Sequence, residues 1–312
     1  MRLVFLGTPA FAVPTLERAA AAGHQVLEAI TQPDRPRGRG QNPAPPPVKE
    51  AALRLGIPIY QPERIRRPEA VEHLRELAPD AMVVVGYGQI IPQSVIDIPP
   101  LGILNVHASL LPKYRGAGPI QWAIVRGEGR TGVTIMRIDA GLDTGDMLLK
   151  AETEIAPEEN AIELGRRLST MGSDLLVEAL AGLAAGNITP EKQNHDQATY
   201  APLLKREDGL IDWSLSASEI HNRIRGLQPW PGAYTTFRGQ TLHIWKATLG
   251  QAGPKGTPLS GSIVSIKPLV VACRSGSLEL QELQLEGRKR LSAAEFSNGQ
   301  RLTENESLAQ SS

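Results

Sequence analysis

Hydrophobic residues fall into short unbroken blocks in the first half of the chain and into interrupted, glycine-punctuated runs in the second. Leu3 to Leu6 is a continuous apolar run closed by Gly7-Thr8-Pro9, as expected of a strand buried on both faces that runs into a loop. The spacing predicts a helix over Pro14–Ala22, ending at Gly23, and a strand over His24–Thr31. Lys49–Leu55 and Pro68–Ala78 read as helices and Ile57–Tyr60 as a short strand. Ala81–Val85 is the most hydrophobic strand and stops at Gly86-Tyr87-Gly88. Strands alternating with helices predict an α/β fold with a Rossmann-like, doubly wound, mostly parallel sheet. Ligands of such sheets sit at the carboxyl ends of the strands, near a topological switch point. Gly7-Thr8-Pro9, Gly86-Tyr87-Gly88 and Asn105–His107 are expected at that edge.

Apolar residues at helical spacing continue over Asn160–Ala184, followed by a polar, irregular stretch, Gly186–Lys205. Beyond Glu207 one helix, Ser218–Leu227, precedes short strands at Ala233–Arg238, Leu242–Ala247, Gly261–Ile266, Leu269–Ala272 and Leu278–Leu285. Frequent glycine turns without further βαβ alternation predict a small C-terminal β-barrel. The expected organisation is a catalytic domain over 1–189, a linker over 190–206 and a second domain over 207–312. Thr303–Ser312 reads as a loose tail. Trp213, Trp230 and Trp245 read as core residues.

The length, 312 residues, agrees with two domains. Lys and Arg number 33, as do Asp and Glu, so no global field recruits a polyanion and any nucleic-acid contact must be local. Cys273 is the only cysteine, which excludes an internal disulfide framework and a cysteine-based zinc cluster, and suits a reducing compartment. The N-terminal apolar run is too short for a signal peptide, and no stretch approaches the ~20 apolar residues of a membrane span. A cytoplasmic monomer without membrane contact is expected. Gly7-Thr8-Pro9 lacks the spacing of a dinucleotide or ATP loop.

Asn105 and His107, two apart on a short β-type stretch, project to one face. Asp139-Ala140-Gly141-Leu142-Asp143-Thr144-Gly145-Asp146 is a turn that could bring a carboxylate to that imidazole. A donor amide, a tunable imidazole and a carboxylate are the parts needed to move an acyl group onto a nucleophile. A lone His is more often a buried, hydrogen-bonded core residue, and Asp139 and Asp146 suit local turn bonds.

The run Asn105-Val106-His107-Ala108-Ser109-Leu110-Leu111-Pro112, its continuation Arg115-Gly116 through Pro119-Ile120, and Gly141-Leu142-Asp143-Thr144-Gly145-Asp146 resemble the formyltransferases that use 10-formyltetrahydrofolate. The opening Phe5-Leu6-Gly7-Thr8-Pro9 and the loop Gln32–Gly40 are similar to those members that formylate methionyl-tRNA. The resemblance implies that Asn105, His107 and Asp143 are catalytic, with Asp143 fixing the tautomer of His107, and that no metal takes part. It implies a folate site lined by Gly86, Tyr87, Gly88, Gln89, Ile90, Ser109, Leu110, Leu111, Pro112 and Asp139. It further implies an OB-like second domain and initiator methionyl-tRNA as partner. Arg39, with Arg35 and Arg37, would meet the acceptor end from the Gln32–Val48 loop, and Lys205 and Arg206 would add contacts. Residues 207–312 hold eleven Lys or Arg and ten Asp or Glu, counted from the sequence, so that domain is close to neutral.

Overall fold

The computed structural model describes residues 1–37, 42–250, 258–304 and 306–308. Its first elements are β1 (Arg2–Gly7), α1 (Val13–Ala21), β2 (Gln25–Ile30), β3 (Arg35–Arg37), β4 (Asn42–Ala44), α2 (Pro47–Arg54), β5 (Ile59–Tyr60), α3 (Pro68–Leu77) and β6 (Ala81–Val85). There follow α4 (Gln93–Ile96), β7 (Ile103–His107), α5 (Pro119–Val125), β8 (Arg130–Arg137), β9 (Met147–Glu154) and α6 (Ala161–Ala184). The last part holds α7 (Ala217–Gly226), β10 (Tyr234–Phe237), β11 (Gln240–Leu249), β12 (Ile263–Ile266), β13 (Leu269–Ala272), β14 (Ser277–Leu285), β15 (Leu291–Ser292) and α8 (Ala293–Gln300).

The chain divides into two compact units whose boundaries interleave. One takes Met1–Gly116, Arg130–Thr153 and Gly165–Ala201; the other takes Ala117–Gly129, Glu154–Leu164 and the chain from Pro202 onward. The stretch expected as a linker therefore belongs to the first unit as far as Ala201.

The first unit is built on a seven-stranded sheet ordered β5-β2-β1-β6-β7-β8-β9. β5, β2, β1, β6 and β7 pair in parallel, whereas β8 runs antiparallel to β7. The chain spreads outward from β1 through β2 and β5, then outward the other way through β6 and β7. The strand order thus reverses between β1 and β6, the switch point at which a crevice opens beyond the carboxyl ends. Every residue of β6 is buried. Val4, Leu6, Ile30, Met82 and Ile103 share one core with Leu74 of α3 and Val95 of α4. Apolar strands covered by helices remove the most surface from water, which is why β1 and β6 read as unbroken hydrophobic runs.

Within the Gln32–Val48 loop β3 pairs with β4, Arg35 opposite Ala44 and Arg37 opposite Asn42. Its base is clamped: Lys49 Nζ meets Asp34 Oδ2 at 2.7 Å, and Gln61 Nε2 donates to Asp34 Oδ1 at 2.8 Å and to the Gln32 carbonyl at 2.8 Å. These bonds to the carboxylate hold the Asp34 pKa below its ordinary value. Arg39 lies outside the described residues.

The second unit carries a curled antiparallel sheet ordered β10-β11-β14-β13-β12, with β15 paired to β14, a half-barrel where the sequence predicts a small β-barrel. α7 and α8 begin with reciprocal caps: Ser216 with Glu219 and Ser292 with Glu295 each satisfy the other's backbone N–H. The core joins Trp213, Ile220, Phe237, Leu283 and Phe296. Two expectations fail here. The tail is docked over residues 306–308, where Leu308 is buried, its N–H bonds the Gly261 carbonyl at 2.8 Å and its carbonyl accepts from Trp213 Nε1 at 3.2 Å. Trp213 is core, but Trp230 is 54% exposed and Trp245 is half-buried, with the His243 ring on one side and the Arg290 guanidinium 4.3 Å from its centre. An indole holding a cation over its face needs no hydrophobic shell there.

Candidate active site

β7 is an interior strand, paired with β6 on one side and β8 on the other. Its alternation sends Asn105 and His107 to the same face, as the two-residue spacing requires. Asn105 is half-buried and His107 is 5% exposed. Asp143 arrives from the β8–β9 connection in a left-handed conformation, φ 51°. Such backbone is uncommon for a non-glycine residue, though Asp tolerates it better than most.

The three side chains converge. Asn105 Nδ2 lies 3.5 Å from Asp143 Oδ1, and His107 Nδ1 lies 3.7 Å from Asp143 Oδ2. The first is a long hydrogen bond and the second lies beyond hydrogen-bond range, so neither contact consumes the groups that make it. Asp143 Oδ2 also accepts the Gly116 N–H at 2.8 Å. Gly116 has φ 113°, and a Cβ there would stand 2.7 Å from the Ala201 carbonyl oxygen, so only glycine brings its N–H to the carboxylate.

His107 Nε2 lies 2.9 Å from the Tyr114 carbonyl oxygen. A carbonyl can only accept, so Nε2 carries the proton and Nδ1 faces Asp143. The Tyr114 carbonyl thus holds the Nε2–H, and Asp143 meets the other nitrogen.

The remaining residues expected around the site divide by what they touch. Ser109 Oγ donates to the Lys113 carbonyl at 2.6 Å, and its own carbonyl accepts from Thr134 Oγ1 at 2.7 Å. Leu111 packs with Met136 and Met147 in a small buried cluster and precedes a cis bond to Pro112, while Leu110 and Pro112 are half-buried. After β6, Gly86 (φ 58°) and Gly88 (φ 86°) are exposed, but between them the Tyr87 side chain turns into the core at 1% exposure. Burial pushes the Tyr87 hydroxyl pKa well up. The Tyr87 carbonyl is held by Thr8 Oγ1 at 3.0 Å and Gln32 Nε2 at 3.2 Å. Gln89 Oε1 accepts from the Ile65 N–H at 2.8 Å, whereas Ile90 is 92% exposed. Asp139 closes its own turn, its Oδ1 accepting from the Gly141 N–H at 3.0 Å and from Thr144 Oγ1 at 2.7 Å. Arg35, Lys205 and Arg206 are exposed. Among the described residues no group of three or more His, Cys, Asp or Glu is placed to hold a metal ion, and no helix is long and apolar enough to cross a membrane.

Sequence reading missed Tyr114 and Gln193. Gln193 lies in the polar stretch after α6, where only its own burial distinguishes it, and burial is invisible in a segment without periodicity.

Comparison with known proteins places the chain as a whole. The formyl transferase family model matches residues 1–180, and the model of the formyl transferase C-terminal domain matches residues 203–301. A methionyl-tRNA formyltransferase of Solibacter usitatus (strain Ellin6076) is 69% identical over 310 residues, which is 99% of each chain. One of Koribacter versatilis (strain Ellin345) is 56% identical, covering 96% of each. The crystal structure of the N-formyltransferase from Helicobacter canadensis in complex with folinic acid and dTDP-3-aminofucose matches with a TM-score of 0.66 at 19% identity. That match covers 93% of this chain and 99% of the other, and is a likeness of fold. The chain belongs to the formyl transferase family, with the methionyl-tRNA formyltransferases among its relatives.

Proposed function

We propose that this enzyme transfers the formyl group of 10-formyltetrahydrofolate to the α-amino group of methionyl-tRNA, giving formylmethionyl-tRNA for translation initiation. The observation that carries the reading is the convergence of Asn105 Nδ2, His107 Nδ1 and the Asp143 carboxylate at the end of β7. In the proposed reaction the amine attacks the formyl carbon, a new C–N bond forms, and the carbonyl oxygen becomes an oxyanion. Asn105 Nδ2 donates to that oxygen and cannot lose its proton by titration. Each such donor is worth about 3 kcal/mol of transition-state stabilisation. His107 stands beside it, oriented by Tyr114. Asp143 takes the proton released by the amine, directly or through water. The C–N10 bond then breaks, and N10 of the departing tetrahydrofolate receives a proton, so charge and atoms balance.

Glycines 86 and 88 leave backbone groups open to a pterin edge, and the exposed Ile90 offers apolar contact to the same ligand. Asp139, Ser109, Leu110, Leu111 and Pro112 complete the folate site, with the half-buried Leu110 and Pro112 giving apolar contact. Arg35, Arg37 and Arg39 engage the tRNA acceptor end, with Lys205 and Arg206 as further contacts, because guanidinium groups suit phosphates and base edges. Both substrates belong to the cytoplasm.

The test offers the purified enzyme 10-formyltetrahydrofolate with either methionyl-tRNA or a nucleotide-linked amino sugar. Formyl incorporation into methionyl-tRNA is expected. Incorporation into the sugar alone overturns the reading.

A further inference from the structure

Gln193 has no substrate to touch in this scheme, yet it is 5% exposed and makes four hydrogen bonds. Its Nε2 donates to the carbonyls of Asp143 and Gly145, each at 2.8 Å. Its Oε1 accepts from Arg115 Nε at 3.0 Å and from Arg115 Nη2 at 2.6 Å. The Arg115 guanidinium, 2% exposed, also donates to His195 Nδ1 at 3.2 Å. One amide thus satisfies two carbonyls of the turn that carries Asp143 and two donors of a buried cation.

The same stretch reaches the other half of the site. The Arg115 N–H bonds the Thr199 carbonyl and the Ala201 N–H bonds the Arg115 carbonyl, both at 2.8 Å. Thr199 Oγ1 accepts the Tyr114 N–H at 2.9 Å, and Tyr114 is held at φ 62°. The carbonyl of Tyr114 is the group that orients His107. Residues 193–201 therefore grip both the turn of Asp143 and the backbone that fixes His107.

We infer that Gln193 is a positioning residue for formyl transfer, holding the Asp143 turn in register with His107 through its bonds to the Asp143 and Gly145 carbonyls and its anchor on Arg115. This rests on the assignment of Asn105, His107 and Asp143 as the transfer machinery. Sub-ångström placement matters here, since a shift of about 1 Å in a catalytic group can cost about a hundredfold in rate. The left-handed backbone of Asp143 makes the need concrete, because a strained residue keeps its conformation only where surrounding bonds over-determine it.

Gln193→Glu separates the two ends of the brace. The carboxylate keeps, and strengthens, its bonds to Arg115, but it turns acceptor lone pairs toward two carbonyls that need a donor. The expected result is a kcat lower by about ten- to a hundredfold, with the KM values for folate and tRNA nearly unchanged. Placed on Asp143→Asn, the same change should cost less than about twofold more, because a residue that acts through another shows strong non-additivity. Amide hydrogen exchange over residues 140–146 should rise in the single variant. Full, additive loss in the double variant overturns the proposal, as does a single variant within about twofold of the parent. If Gln193→Glu does not fold, Gln193→Met, neutral and of similar size, is read by the same cycle. Absence of formyl transfer by the parent enzyme would instead defeat the functional reading, and the exchange measurement would still decide whether Gln193 holds the turn.

Discussion

Both units bury charged and polar side chains, and the contrast lies in what those groups have left over. In the second unit Arg225 is nearly enclosed and each of its nitrogens is engaged: Nη2 donates to Asn222 Oδ1 at 2.8 Å and Nε to the same oxygen at 3.2 Å, and Nη1 donates to the Glu159 carbonyl at 3.0 Å and the Ala156 carbonyl at 3.4 Å. Trp213 Nε1 likewise closes on Thr235 Oγ1 and the Leu308 carbonyl. In the first unit Asn105, His107 and Asp143 meet at 3.5–3.7 Å, and Asp143 keeps acceptor capacity beyond the Gly116 N–H. Burial of polar groups alone therefore does not mark a site. Donors and acceptors held by neighbours, but not consumed by them, do.

The largest expected effect breaks this contrast down the middle. His107→Ala should lower turnover by about a hundredfold or more in an enzyme that still folds, since oriented groups at a reacting centre carry terms of this size, at a stability cost of about 1–3 kcal/mol as the buried Tyr114 carbonyl loses its donor. Arg225→Ala should do the reverse, leaving turnover near normal and destabilising the fold by on the order of 3 kcal/mol as buried carbonyls lose their donor. Turnover assays and thermal melts on the two variants check both. A folded His107→Ala enzyme with normal turnover would remove the first unit's claim to the chemistry.

A smaller effect concerns the tRNA. The second unit is near neutral in sequence, and several of its cations are already paired, Arg238 with Glu306 at 2.8 Å and Arg290 with Glu282 at 3.3 Å. The Gln32–Val48 loop holds three arginines and one paired acid, Asp34. Arg39→Ala should therefore raise the KM for tRNA by roughly tenfold, and Arg206→Ala by less, with folate affinity unchanged in both. Steady-state kinetics with tRNA varied, and a folate titration, measure these. A larger effect at Arg206 would move the tRNA contact to the second unit.

Much of this arrangement was readable in the chain. β6 and β13 fall at the boundaries expected, because an apolar run between turn residues has few other solutions. Asn105 and His107 share a face for the same elementary reason. What could not be read depends on contacts far apart in sequence. The polar stretch after α6 lacks periodicity, so nothing local shows that Gln193 is buried against residues 48 and 78 positions away. Asp139 and Asp143 sit in one glycine-rich turn, where the sequence assigns Asp139 to local turn bonds, and Thr144 Oγ1 beside Asp139 bears this out. The left-handed backbone of Asp143, φ 51°, shows only in three dimensions. The docked tail was hidden because its described residues contribute one buried leucine at Leu308, backbone bonds and the Glu306–Arg238 ion pair, none of which makes a pattern.

The smallest effect tests whether the second unit's histidine belongs to stability alone. His221 on α7 is buried, with Glu158 Oε2 3.4 Å from Nε2 and Arg225 one turn away. Burial lowers its pKa below the ordinary value of about 6.5; Glu158 opposes this and Arg225 adds to it. The unfolded chain thus takes up the proton before the folded one does. Stability contributed by neutral His221 is present above about pH 6.5, is lost as pH falls toward the folded-state pKa, and changes no further below it. His221→Gln should therefore narrow the difference in melting temperature between about pH 7.5 and about pH 5.5, without abolishing it, because burial lowers the His243 pKa as well. An unchanged difference in the variant would show that His221 does not carry this pH dependence. A narrowed difference with normal turnover would leave the second unit's buried polar groups with the fold, and the unspent ones of the first unit with the chemistry.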